Sequence, residues 1–379
     1  MSGPIASAKM QDKTTSQSRK TQAMRTIHRA LGSLLGLYLL FMSLSGSSLI
    51  LKDEIIGFIE NKKALESRTS LDIDLDKLCQ SALAAVKPAN NSSQVKFIEN
   101  IDGLHGKPIY IHISGEGGSK ALGLDRSTGA FVEEKEEHWL LEKISDLHHN
   151  LALGKTGKQY QGYLALAVQL LLASGLALTL LPQYSLKKEL HLYRIKFAFK
   201  NKVLLHKYLA LLATLPILLF TVSALNFAFP IEFRKFCAPH YQFDPKGSFD
   251  NLNSLRKRAE QALIDSGRDS SQSSGNSEKF ALREISFPKK HIGAYRFFYY
   301  DKLNVPLEVW VFPQQAKVIG SDFTDIDTVT AWLTRLHFGR ALGTPGKFFW
   351  LGIGLLPAAA CLSGLALKKW RKKLAGARK

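Results

Sequence analysis

Four histidines in this 379-residue chain recur in matched surroundings. The stretch Ile27-His28-Arg29 through Leu49 aligns with Leu205-His206-Lys207 through Phe227, which sets Leu40 on Leu218 and Ser45 on Ser223. Leu147-His148 through Leu178 aligns with Leu336-His337 through Leu367. Here Ala152 falls on Ala341, Gly154 on Gly343, Gly157-Lys158 on Gly346-Lys347, and Ser174-Gly175-Leu176-Ala177-Leu178 on Ser363-Gly364-Leu365-Ala366-Leu367. Each histidine stands near one end of an apolar run. Imidazole is a standard axial ligand of haem iron, and helical bundles build cofactor sites from side chains on facing helices. Two symmetry-related pairs, His28 with His206 and His148 with His337, thus form a frame for two haems. The chain has no C-x-x-C-H, so covalent c-type haem attachment is not indicated. A single histidine at a membrane interface would ordinarily be an anchor; the matched pairing is what points to ligation. The repeat also favours His148 over His149, which aligns with Phe338. Arg29 and Arg340 stand beside ligand positions, where they would either meet haem propionates or anchor the interface.

Positioning four such histidines requires helices, and the apolar blocks supply them. Leu31–Leu51, Tyr163–Leu181, Val203–Phe229 and Phe348–Leu367 are each near the roughly 20 residues that cross a hydrocarbon core of about 30 Å. The repeat is parallel: each half crosses, forms an outer polar segment and returns, so the halves relate by an axis along the membrane normal. His28 and His206 fall at the inner entrances of spans 1 and 3, and His148 and His337 on the outer side ahead of spans 2 and 4. Gly154-Lys155-Thr156-Gly157 and Gly343-Thr344-Pro345-Gly346 break helices, which places the outer histidines on short interfacial segments. Ser45-Gly46-Ser47, Ser174-Gly175 and Ser363-Gly364 are expected to serve close packing, or to make room for a flat macrocycle. Pro216 and Pro357 are expected to kink their spans, and Asn226 to bond across helices.

The net charge of +19 raises nucleic acid as a partner, but its distribution excludes that reading. Segments 1–30, 183–207 and 368–379 hold 20 Lys and Arg against two acidic residues, whereas residues 53–147 hold 17 acidic and 11 basic residues. This is the positive-inside pattern, and it puts both termini and the 183–202 loop in the cytoplasm. The expected map is a disordered leader over 1–24, span 1 over 25–52 and a first outer module over 53–147. The outer histidine segment and span 2 occupy 148–182, the basic loop 183–202 and span 3 203–229. A second outer module covers 230–335, the second histidine segment and span 4 336–367, and a basic tail 368–379. The fold class is a membrane protein: an all-α four-helix transmembrane bundle in two parallel repeats, with two periplasmic α+β modules.

Each module of about 100 residues is expected to build its own modest core. In the first, Leu75–Val86 reads as a helix, and Val95–Ile101, Pro108–Ile113 and Lys120–Asp125 as strands, with turns at Gly103, Gly115-Glu116-Gly117-Gly118 and Ser127-Thr128-Gly129. In the second, Leu252–Ile264 reads as a helix, Phe280–Phe287, Tyr295–Tyr300 and Leu307–Phe312 as strands, and Gln314–Gly320 as a turn and return. Ser266–Ser277 reads as a mobile linker. His105, His112, His138, His240 and His291 lack ligand spacing and read as solvated or structural. Cys79 and Cys237 face the same side and would be able to pair, but nothing fixes their distance, and free thiols are the expectation.

The three cytoplasmic pieces are too short for a nucleotide or flavin domain, and there is no Walker motif and no G-x-S-x-G. Electrons arriving from inside would need a separate donor, either a quinol or a cytoplasmic reductase. The four apolar blocks hold no carboxylate, which argues against a proton-coupled transporter.

Taken together, the residues resemble the PepSY-associated transmembrane helix family of bacterial iron-regulated membrane proteins. The resemblance covers about residues 25–373. It rests on Ile27-His28-Arg29-Ala30-Leu31-Gly32, Leu44-Ser45-Gly46, Leu147-His148, Leu205-His206-Lys207 and Leu336-His337-Phe338-Gly339-Arg340. It also rests on Leu124-Asp125-Arg126-Ser127-Thr128-Gly129, similar to the Asp-x-x-Thr-Gly turn of a PepSY module; Phe312-Pro313-Gln314-Gln315-Ala316 departs from it in the second module. The resemblance implies four spans in the bacterial inner membrane and two periplasmic PepSY-like modules. In the siderophore-reductase members it also implies two b-type haems that pass electrons to ferric siderophore iron. The competing expectations are a PepSY-type sensor or scaffold that binds a periplasmic partner without a cofactor, and a siderophore permease.

Overall fold

The structure, a computed structural model, describes residues 4–59, 73–86, 93–102, 108–115, 118–126, 128–135, 138–180, 199–238, 248–266, 281–289, 293–300, 306–319 and 325–376. Most of the basic 183–202 loop, the linker after Ser266, the turns at Gly103 and Glu116-Gly117, and His105, His240 and His291 lie outside these residues. The chain runs α1 (Pro4–Ile50), α2 (Lys52–Ile59), α3 (Leu75–Ala85), β1 (Gln94–Glu99), β2 (Ile109–Gly115), β3 (Gly118–Leu124), β4 (Phe131–Glu134), α4 (Trp139–Asn150) and α5 (Gly154–Leu180). It continues with α6 (Phe199–Ala228), α7 (Pro230–Cys237), α8 (Leu252–Asp265), β5 (Ala281–Ser286), β6 (Tyr295–Tyr300), β7 (Pro306–Val311), β8 (Ala316–Val318), α9 (Ile326–His337) and α10 (Gly343–Gly376). These elements divide into a helical unit (residues 1–52, 143–229 and 348–379) and a sheet unit (residues 53–142 and 230–347).

The helical unit contains four helices long and apolar enough to cross a membrane: Gln22–Ile50, Gly154–Thr179, Lys202–Ala228 and Gly346–Lys369. Its interior is made of modest side chains, with Leu35, Val168, Ala213, Ile217 and Ala360 at the centre. The large ones point outward: Leu34 is 75% exposed and Leu215 73%. In water, outward leucines would forfeit about 25 cal/mol per Å² of apolar surface; against lipid tails they are at home. Small residues inside and leucines outside is the arrangement expected of helices that pack within a bilayer. Pro216 and Pro357 sit inside α6 and α10. One expectation is corrected at the N-terminus. The leader expected to be disordered continues α1 as helix from Pro4, since residues 5–24 contain neither proline nor glycine to interrupt the backbone ladder.

In the sheet unit, eight strands form one antiparallel sheet in the order β4-β3-β2-β1-β5-β6-β7-β8. The first four come from one outer segment and the last four from the other. They join at β1–β5, where Phe97 pairs with Ser286, Ile98 with Ile285 and Glu99 with Glu284. The two segments therefore do not form separate cores, as was expected of them. They share one, with α3 and α8 packed on it and Ile98, Ile111, Ile285, Phe297 and Val309 fully buried. The reason is physical: in separate modules β1 and β5 would each be an unpaired sheet edge, and about 100 residues bury little surface alone. The helix N-termini are tied to each other as well. Asp76 accepts hydrogen bonds from the Leu252 and Asn253 amides at 2.8 and 3.0 Å, and Asn253 accepts one from the Leu75 amide at 3.0 Å.

Local turns follow their chemistry. Asp125 Oδ1 accepts from the Thr128 amide and hydroxyl at 2.8 and 2.9 Å, and Gly129 takes φ +70°, so the Asp-x-x-Thr-Gly turn forms. Its counterpart closes between Phe312 N and Gln315 O at 2.8 Å and leads into β8. Strand β4 and the helices α4 and α9 were not foreseen as separate elements. Cys79, Cys237 and Cys361 are all free. His112 stacks on Phe97 with ring centroids 3.7 Å apart and its Nε2 lies 3.3 Å from Glu99, so it belongs to the sheet.

Two outcomes test this architecture. Ile285→Ala should destabilise the sheet by about 2–5 kcal/mol, and amide hydrogen exchange should then speed up on both sides of the seam. Faster exchange in β5–β8 alone would mean two independent modules. Burial raises the pKa of Glu99, but the His112 hydrogen bond and Lys135 outweigh it and hold the carboxyl down at about 2. A depressed carboxyl stabilises the fold above its ordinary value, and that contribution is lost as pH falls through about 2. Glu99→Gln should flatten the acid-unfolding curve of the sheet in that window.

Candidate functional site

In the helical unit, His28 leaves α1 for α5. Its Nδ1 lies 2.9 Å from Ser174 Oγ. A Cβ built on Gly175 would stand 3.0 Å from its Cε1, so the imidazole occupies the space that this glycine leaves. His206 repeats the arrangement from α6 to α10: Nδ1 lies 2.9 Å from Ser363 Oγ and 3.1 Å from the Ala360 carbonyl, and a Cβ on Gly364 would again be 3.0 Å from Cε1. His148, in the last turn of α4, reaches back to α1. Its Nδ1 is 2.9 Å from Ser45 Oγ, and a Cβ on Gly46 would fall 2.8 Å from Cε1. Three histidines thus cross to three Ser-Gly steps on other helices. Those steps were expected to serve close packing or to make room for a flat macrocycle; in the structure they seat imidazoles.

His149, the neighbour that the repeat sets aside, turns to its own helix, with Nδ1 3.1 Å from Ser145 Oγ. Arg29 likewise folds back on α1, donating to the Arg25 carbonyl and the Thr26 hydroxyl at 3.1 Å each. Arg340 lies in the sheet unit with its guanidinium 5.5 Å from the centre of the Phe338 ring.

A polar link that sequence reasoning missed holds His148 in place. Tyr38 O–H donates to Gln161 Oε1, and Gln161 Nε2 donates to the His148 carbonyl at 2.7 Å. Gln161 is 6% exposed, so these bonds are its compensation for burial. Gln161 stands in the polar stretch Lys158-Gln159-Tyr160-Gln161-Gly162 ahead of the apolar run, where nothing in the sequence marks it out. Between α4 and α5 the chain reverses through Leu151 and Ala152 at φ +55° and +56° and Gly154 at +57°. Two consecutive non-glycine residues in the left-handed region cost of order 1–3 kcal/mol each. Gly157 then passes so close to the Asn150 carbonyl that a Cβ there would lie 1.6 Å from it. The expected interfacial segment is thus a short helix followed by a tight turn.

In the sheet unit, His337 is the last residue of α9, and its ring meets Phe338 edge-on at 5.5 Å. Buried charges fasten α9. Arg335 pairs with Glu308 at 3.1 Å, and Glu308 also accepts from Trp310 Nε1 at 3.0 Å. Arg234 pairs with Asp327 and donates to Thr330 at 3.0 Å, while Asp325 caps the helix start. Asn226, late in α6, is 7% exposed.

Among the described residues no three His, Cys, Asp or Glu converge on one point. A haem needs only axial imidazoles from the protein. The residues fit that group in two further respects. The ring seats are lined by glycine, and Ser47 Oγ and Trp350 Nε1 in the helical unit are buried polar atoms with no protein partner.

Four apolar helices of spanning length, joined to an antiparallel sheet unit, define a multi-pass membrane protein. Residues 25–373 match the PepSY-associated TM region family, and the chain belongs to it. No curated protein matches the chain.

Gln161→Leu keeps the volume but strands the Tyr38 hydroxyl and the His148 carbonyl. It should lower stability by about 1–3 kcal/mol, read as a lower Tm of the detergent-solubilised protein. An unchanged Tm would mean that the link does not hold the α4 end.

Proposed function

We propose that the protein is a di-haem inner-membrane oxidoreductase that passes electrons across the membrane to ferric siderophore iron on the periplasmic side. One observation carries the reading: His28 and His206, matched by the internal repeat, are held in the same way inside an apolar helical unit. Imidazoles fixed on neighbouring spans with glycine beside them suit axial ligation of a b-type haem. His28 and His206 would ligate the inner haem. His148 and His337 would ligate the outer one, an assignment that rests on the repeat. A haem iron held by two imidazoles supplies reversible one-electron chemistry. The chain contributes placement: spans α1 and α6 carry the inner ligands, the short helices α4 and α9 carry the outer ones, and Gln161 fixes the carbonyl end of His148.

The positive-inside distribution of charge supports cytoplasmic termini, a periplasmic sheet unit and a bacterial inner-membrane location. The donor would be a membrane quinol or a separate cytoplasmic reductase. Arg29 and Arg340 remain candidates for propionate pairing only if their side chains leave their present partners.

The test is the absorption spectrum of the protein purified in mild detergent, oxidised and then reduced with dithionite. The expected result is a Soret band with sharp α and β bands on reduction, and reoxidation by a ferric siderophore. His28→Ala and His206→Ala should each lose one haem and keep the other. A colourless protein from cells with ample haem would overturn the proposal and leave a sensor or scaffold that binds a periplasmic partner.

A further inference from the structure

The geometry points to Ser174, Ser363 and Ser45 as positioning residues that fix the proton of each histidine on Nδ1 and so present Nε2 as the ligating atom. A serine hydroxyl has one hydrogen to give. Ser174 Oγ gives it to the Leu171 carbonyl at 2.7 Å, Ser363 Oγ to the Ala360 carbonyl at 2.7 Å, and Ser45 Oγ to the Phe41 carbonyl at 2.7 Å. Each oxygen is then only an acceptor toward the imidazole 2.9 Å away, so the imidazole must donate. A second acceptor points the same way. The Ala360 carbonyl, 3.1 Å from His206 Nδ1, also bonds that ring, and a carbonyl has no proton to offer. A neutral imidazole that donates from Nδ1 carries its lone pair on Nε2.

The same serine hydroxyl therefore satisfies its own helix and orients a ring from another helix. The glycine that follows removes the one side-chain atom that would collide with the ring. Such hydrogen bonds to the far nitrogen of a ligating histidine raise its basicity and hold its orientation. This inference rests on the haem reading for its consequence, but its content, the tautomer, belongs to the apoprotein.

The experiment uses the full chain, labelled with 15N-histidine, in haem-free and haem-supplied forms. In the haem-free protein the 15N shifts of His28 and His206, assigned from the His28→Gln and His206→Gln spectra, should show the Nδ1–H tautomer. Ser174→Ala should move part of the His28 population to Nε2–H, and Ser174→Thr, which keeps the hydroxyl, should restore it. Gly175→Ala should displace the ring without that change of tautomer. In the haem-supplied protein Ser174→Ala should weaken haem binding by about 10- to 100-fold and raise the midpoint potential, because a less basic imidazole favours the ferric state less. Unchanged tautomers in Ser174→Ala and Ser363→Ala would overturn the positioning role, whatever the haem content. If the wild type takes up no haem but the tautomers respond as expected, the proposed function fails and the positioning role stands.

Discussion

Everything in the helical unit depends on how an apolar bundle accommodates a polar ring. An imidazole among leucines and alanines loses the hydrogen bonds of water, and an unpaired nitrogen there costs on the order of a hydrogen bond or more. Three histidines meet this cost in the same way, with Nδ1 on a serine of another helix and the ring edge over the adjoining glycine. The serines in turn are satisfied by their own helix carbonyls. Each pairing is both a helix–helix contact and a polar satisfaction, so the histidines stitch α1 to α5, α6 to α10 and α4 to α1.

The sheet unit solves a different problem by a similar economy of pairing. Each outer segment alone would leave an edge strand carrying Ile98 or Ile285, both fully buried in the joined sheet. Pairing β1 with β5 removes both edges and makes one core beneath α3 and α8. The strand order is symmetric about that seam, as is the exchange of caps between the two helix starts. At the other end of this unit, the Glu308–Arg335 and Arg234–Asp327 pairs are buried, and breaking one by removing a single partner would leave an uncompensated charge. Their placement under α9 gives the helix that ends in His337 a fixed seat.

Chemistry and fold are coupled through these seats. Under the proposed haem ligation an imidazole needs its far nitrogen fixed, and a buried imidazole nitrogen needs a partner in any case. The serine–histidine hydrogen bonds would serve both needs. The link from Tyr38 through Gln161 to the His148 carbonyl extends the matching to the backbone, at the one place where α4 ends and the chain doubles back.

The spans and the strands were legible in the sequence because they are local. Span length follows from apolar runs, strands from alternation and turn residues, and His148 stood out from His149 by comparing the chain with itself. Tyr295–Tyr300 forms as read, and most other strands shift by a residue or two at their ends. The seam between β1 and β5, the pairing of Ser45 with His148 and the role of Gln161 were not legible. Each is decided by segments that lie far apart in the chain; Ser45 and His148, for example, are 103 residues apart. A sequence states that a serine and a glycine adjoin, but only the packing of one helix on another decides whether that step faces lipid, a neighbouring backbone or an imidazole.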